Sequence, residues 1–176
     1  MARCAVARVE GRGVTRRVTD LAFCWPGKIS AAYARAGIED YVSRIKHYRD
    51  CRVVITPEEP RGSQYSDKHR LEREGDNLLR RVGDLEPAWI CALDPAGKPV
   101  NTRDFAELLR CQLYEDTRTA VFVVGGPDGL SYAVRERADR LLSLSPFTLP
   151  HDMARLVITE QVYRALTIIH GHPYDR

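Results

Sequence analysis

The sequence predicts an α/β domain: a mostly parallel sheet flanked by helices. Three observations carry that expectation. Short apolar runs of strand length recur along the chain at Val18–Cys24, Cys51–Thr56, Trp89–Leu93, Ala120–Val124 and Leu141–Ser145. Segments with helical spacing of apolar residues lie between them, and that alternation favours parallel strands joined by crossover helices. The last three strands each run into a loop containing Gly or Pro, and in such sheets ligands bind beyond the strands' carboxyl ends.

In chain order, Val18 to Cys24 is the first strand, apolar at alternate positions and then throughout. Trp25-Pro26-Gly27-Lys28 turns the chain. Ile29 to Tyr48 is an amphipathic helix with Ala34, Ile38, Tyr41 and Ile45 in its apolar stripe. Its charges (Arg35, Arg44, Lys46, Arg49) read as a solvated face, with RNA contact as the alternative. Cys51–Thr56 is the second strand. Pro57 to Asp67, rich in Pro, Gly and charge, is expected to be a long mobile loop. Lys68 to Val82 is a highly charged helix with Leu71, Leu78 and Leu79 turned inward. Trp89–Leu93 is the third strand, ending in Asp94-Pro95-Ala96-Gly97-Lys98. Thr102 is expected to cap the helix that runs to Tyr114.

Ala120–Val124 is β-branched and aromatic, which suits a buried strand. Gly125-Gly126-Pro127-Asp128-Gly129 then permits positive φ and exposes bare backbone. A tight turn and a ligand-facing turn both fit this pattern. After Leu141–Ser145, the loop Pro146-Phe147-Thr148-Leu149-Pro150 is stiffened by two prolines that also remove two donors. The helix from His151 to His170 is apolar around most of its circumference, so more than one of its sides should be buried, against the sheet and against a second subunit. Its polar residues Arg155, Thr159, Glu160 and Arg164 must therefore sit in a cleft or be paired. Glu160 and Arg164 have the favourable order for a helical ion pair, and a purely structural bridge remains open. The tail Gly171-His172-Pro173-Tyr174-Asp175-Arg176 carries an aromatic, a cation and a carboxylate; frayed ends of this kind are common.

The combination VVGGPDG, SLSPFTLPH, an EQVYRA helix and a terminal HPY-x-R resembles the bacterial ribosomal RNA large subunit methyltransferase H family, a branch of the knotted SPOUT methyltransferases. The resemblance runs from Val18 to Arg176 and its motifs are specific when taken together. It implies a C-terminal trefoil knot, a homodimer, S-adenosyl-L-methionine as methyl donor, and methylation of N3 of a pseudouridine in large-subunit ribosomal RNA on the assembled ribosome. It also implies donor contacts at Leu93, Gly125, Leu144, Ser145, Pro146, Phe147, Thr148 and Leu149. On that view Gly125 is glycine because a Cβ would intrude on the donor. The acceptor nitrogen must lose a proton, so candidates for catalysis are Arg155, Glu160, Arg164, Tyr174 and Arg176, with His172 nearby in sequence. The family tail usually reads HPYH before Lys or Arg; here Asp175 replaces the second histidine and is expected to orient Arg176. The tail is expected to order when RNA arrives. Competing readings are a knotted methyltransferase acting on transfer RNA and a catalytically silent ribosome-binding homologue.

Composition bounds the rest. A chain of 176 residues is expected to form one domain with a sizeable core. No apolar run approaches the roughly 20 residues needed to span a bilayer. The five cysteines are odd in number, far apart and without a CxxC, which argues for free thiols in a reducing cytoplasm rather than disulfides or zinc. No metal site is expected. The net charge is +3, yet the first 17 residues alone hold five arginines against Glu10, so the remaining body sums to about −1. Recognition of RNA by such a body needs cations concentrated locally or patches joined across two subunits. Residues 1–17 show neither helical nor strand periodicity and are expected to be a disordered extension before a single domain at 18–176, a mis-assigned start codon being one origin.

Overall fold

A computed structural model describes residues 20–59 and 66–174. The expected N-terminal extension, part of the expected loop after the second strand, and both Asp175 and Arg176 lie outside the described residues. Ten elements follow in order: β1 Leu21–Pro26, α1 Ala32–Ile45, β2 Cys51–Thr56, α2 Asp67–Gly83, β3 Ala88–Pro99, α3 Thr102–Tyr114, β4 Thr119–Val124, α4 Tyr132–Arg137, β5 Arg140–Ser143 and α5 His151–Ile169.

The sheet has five strands in the order β2-β1-β4-β3-β5, and every pair is parallel. The central strands explain themselves. β1 is buried at all six positions and β4 at five of six, as expected where helices cover both faces of a parallel sheet. On one face Phe23, Trp25 and Phe122 meet α1, α3 and α5, with the Phe23 and Phe122 rings stacked at 5.8 Å. On the other, Ala22, Cys24, Ile90 and Val121 meet Leu78 and Val82 of α2 and Val134 of α4. Cys24, Cys51 and Cys91 are free thiols, and burial pushes each up to about 12. They are packing residues without thiolate chemistry at neutral pH.

Several expectations are corrected. Asn101, not Thr102, caps α3: its side chain accepts from the Asp104 N–H at 2.9 Å, while the Thr102 hydroxyl reaches Gln161 at 3.3 Å. β3 runs past Leu93 to Pro99, because both Leu93 and Lys98 pair with Leu142 and the residues between them bulge out. α4 has no counterpart in the expected elements. α5 has its flanks covered by α1 and α3 of the same chain, with Ile158, Val162, Ala165 and Leu166 fully buried. Burial of Ile158, Val162 and Leu166, roughly 1.5–3 kcal/mol each, fastens this helix to the sheet and its neighbours. Met153, Leu156, Val157, Ile168 and Ile169 are only half-buried within the chain. No helix of the described residues is long and apolar enough to cross a membrane, and no group of His, Cys, Asp or Glu among them is arranged to hold a metal ion.

Candidate active site

Because β4, β3 and β5 are adjacent in the sheet, the loops at their carboxyl ends emerge side by side. Between them lies a cavity of about 490 Å³. Leu93, Gly125, Leu144, Ser145, Phe147, Thr148 and Leu149 all line it; Pro146 does not. Asp94, Ser143, His151 and Ala154 also line it and were not singled out from sequence. The first two adjoin strand ends already under suspicion, and the last two fall on the first turn of α5. Phe147 stands at 82 % exposure, a large apolar ring left in solvent at the edge of a cavity.

The shape of each wall follows from local chemistry. Gly129 has φ +88°, a conformation that side chains resist, and its N–H bonds back to the Gly126 carbonyl at 3.0 Å. A Cβ at Gly125 would collide with the carbonyl of Gly129. The expectation that this glycine makes room for a ligand is thus corrected: it makes room for its own turn. The loop after β5 is stiffened by Ser145, whose hydroxyl accepts the Phe147 N–H at 3.0 Å while its carbonyl accepts the Ser143 hydroxyl at 3.2 Å. Asp94 is buried, accepts the Ala96 N–H at 2.9 Å and pairs with Arg135 of α4 at 2.9 Å. That pair joins the β3 loop to the helix that follows the glycine turn.

Arg155 is only 1 % exposed and does not line the cavity. One guanidinium nitrogen donates to the Pro26 carbonyl at 2.7 Å and the other to Asp152 at 3.0 Å. Asp152 in turn accepts the Ser30 N–H, the Ser30 hydroxyl and the Ala31 N–H at 2.8–3.0 Å, so it serves the start of α1 as a cap supplied from α5. Burial alone would raise the Asp152 carboxyl; the Ala31 and Ser30 bonds outweigh it and the group ends below its ordinary value. Burial also pulls the Arg155 guanidinium down, although a guanidinium stays charged in proteins. Arg155 thereby ties the β1–α1 loop to α5.

Glu160, Arg164 and Tyr174 do come together. Arg164 Nη2 is 2.7 Å and its Nε 2.9 Å from Glu160 Oε1, and the Tyr174 hydroxyl donates to the same oxygen at 3.3 Å. The guanidinium lies 4.7 Å from the Tyr174 ring centre, and Tyr41 of α1 meets the Tyr174 hydroxyl at 3.2 Å. Burial first, then the Tyr41 contact, pushes the Tyr174 phenol up; at neutral pH it is a proton donor. The tail up to Tyr174 is docked rather than loose: His172 donates its N–H to Thr167 O at 2.8 Å, and its ring nitrogen meets the Tyr48 hydroxyl at 2.6 Å. Up to Tyr174 this departs from the expectation of a tail that orders only with RNA; Asp175 and Arg176 lie outside the described residues. None of these three residues lines the cavity. Glu160 is six residues beyond Ala154, about 9 Å along the axis and about 120° round it.

A parallel sheet with this strand order and a cavity over three adjacent strand ends defines a class. Over 89 % of its length the chain overlays the transfer RNA (m1G37) methyltransferase from Aquifex aeolicus, covering 74 % of that chain with TM-score 0.52 at 16 % identity, and the fold is the α/β knot. The profile described as "Predicted SPOUT methyltransferase" matches residues 20–175. The chain belongs to this family, and within it to the ribosomal RNA large subunit methyltransferase H proteins. The protein of that name from Gemmatimonas aurantiaca is 45 % identical over 79 % of this chain and 88 % of its own. The one from Syntrophotalea carbinolica is 38 % identical over 84 % and 93 %.

Proposed function

We propose that the chain transfers a methyl group from S-adenosyl-L-methionine to N3 of a pseudouridine in large-subunit ribosomal RNA, on the assembled ribosome in the cytoplasm, as a homodimer. The observation that carries the reading is the cavity over the ends of β3, β4 and β5, in a chain whose relatives are named for ribosomal RNA methylation. Its volume lies within the roughly 300–1,000 Å³ of small-molecule sites. Leu93, Val124, Leu144 and Leu149 offer apolar walls, and the glycine turn offers bare backbone, a donor set suited to an adenosine with a sulfonium side chain.

The donor supplies a methyl group on sulfonium sulfur; the chain does the rest. Apolar walls exclude water from the reacting carbon, and holding both reactants in line lowers the barrier by up to about 7–11 kcal/mol in the best cases. Glu160 accepts the proton that the acceptor nitrogen must lose, a step worth about 10²–10⁴-fold. Arg164 and Arg176 offset the developing negative charge, and Tyr174 donates a hydrogen bond. Since Glu160, Arg164 and Tyr174 do not line the cavity of their own chain, the cluster of one subunit serves the cavity of the other.

The test is incubation with labelled S-adenosylmethionine and separated ribosomal particles or transfer RNA. Label in large-subunit RNA, and sedimentation as a dimer, are expected. Label in transfer RNA alone, or in nothing, overturns the reading. Truncation after Pro173 should abolish transfer and leave donor affinity nearly intact. Mixing a Glu160→Gln subunit with a Gly125→Val subunit should recover part of the activity that each lacks, and no recovery would refute the sharing of sites.

A further inference from the structure

α2 carries a buried charge that reaches the glycine turn without lining the cavity. Arg70 is only 6 % exposed, and a charge buried that deeply must be paired. Its Nη2 lies 2.9 Å from Asp128 Oδ2 and 2.9 Å from Asp67 Oδ1. Asp67 belongs to the exposed first turn of the same helix. Asp128 belongs to the tip of the Gly125–Gly129 turn, 58 residues further along the chain.

The same face of α2 meets the rest of that segment. A Cβ at Gly126 would lie 2.9 Å from Glu74 Oε2, and one at Gly75 would collide with the hydroxyl of Ser131, the residue that caps α4. Arg70 and Glu74 are four positions apart and so share one stripe of the helix, with Gly75 next to Glu74. Glu74 is itself anchored, accepting the Glu59 N–H at 3.1 Å. A turn with glycines at 125, 126 and 129 is costly to order. Its shape matters because Gly125, Gly126, Pro127 and Gly129 all line the cavity while Asp128 does not: the one side chain with a charge points away, toward Arg70.

We propose that Arg70 is a positioning residue for methyl-donor binding: its buried guanidinium holds Asp128 and so fixes the glycine turn in the shape that the donor meets. This rests on the reading of the cavity as the donor site. Methylation chemistry does not pass through Arg70, so its loss changes how well the donor is held and leaves turnover of bound donor alone.

The experiment is a double-mutant cycle on the full chain with Arg70→Met, Asp128→Asn and both together, read by calorimetry with S-adenosylmethionine, by melting temperature, and by the donor's KM and kcat. Each single variant is expected to weaken donor affinity about tenfold, the size of an ordinary coupled contact. KM for the donor should rise by the same factor with kcat unchanged. The double variant should be no worse than the weaker single one, and Arg70→Lys should recover part of the loss. Asp128→Asn lies at a partly exposed tip and keeps the cycle informative if Arg70→Met fails to fold. Wild-type affinity in Asp128→Asn, multiplying penalties in the double variant, or a lowered melting temperature with unchanged affinity would each overturn the proposal while the donor reading stands. Failure of the unaltered chain to take up the donor sinks both.

Discussion

Along α5, His151 and Ala154 close the cavity while Glu160 and Arg164 carry the ionic cluster, and the two regions are made of different materials. The cavity is mostly backbone and apolar wall: a glycine turn, a serine-stiffened loop and the ends of buried strands. The cluster is side chains reaching across long sequence distances, with Tyr174 against Tyr41, 133 residues earlier. A site made of backbone tolerates changed side chains and fails when main-chain geometry fails. A site made of side chains fails one functional group at a time.

Glu160→Gln should therefore give the largest effect on chemistry. The substitution keeps shape and removes the charge, and turnover is expected to fall about 10²–10³-fold with donor affinity unchanged by calorimetry. A matching loss of donor affinity would mean that the two regions are one. Gly125→Val attacks the other material. Its Cβ meets the Gly129 carbonyl, backbone that cannot swing aside, so donor affinity should drop on the order of 100-fold. Unchanged affinity would move the donor elsewhere.

Arg155→Met separates both regions from their support. It leaves Asp152 buried without its ion pair, a loss of about 3 kcal/mol in unfolding free energy by urea titration. Donor affinity and turnover per folded molecule should hold. If turnover instead collapses in a folded variant, Arg155 is catalytic after all.

The same contrast decides what could be read from sequence. β1, β4 and the strand portion of β3 were legible because burial on both faces leaves uninterrupted apolar runs, and the Gly- and Pro-rich loops announced themselves. α4 was not: only Val134 of its six residues is buried, so no period forms, and Ser131 as its cap was the one signal available. Asn101 and Thr102 are neighbours with similar capping chemistry, and only the backbone decides between them. The pairing of Glu160 with Arg164 follows from helical spacing. The roles of Arg155 and the docked tail rest on partners more than 120 residues away, Pro26 and Tyr48, and no local pattern announces such a contact. At Gly125 the close contact with the Gly129 carbonyl joins residues of one turn, and the composition of that turn does not reveal it.

The smallest expected effect lies in pH. The Asp152 carboxyl titrates below its ordinary 3.8 in the folded chain, so the unfolded chain takes up its proton first as pH falls. Its contribution is then fully present above the ordinary aspartate range and drains away as pH drops through the folded value. Asp152→Asn removes that titration. At pH 7 the variant should be less stable by about 1.5–3 kcal/mol, the worth of hydrogen bonds to a charged group. As pH falls below the ordinary aspartate range the gap should narrow, because the unaltered chain loses what the variant never had. Donor affinity at neutral pH should change little, since Asp152 hydrogen-bonds the start of α1 and does not itself line the cavity. Urea midpoints that fall in parallel for both chains across that window would assign the acid sensitivity to other carboxylates and leave Asp152 as an uncharged cap.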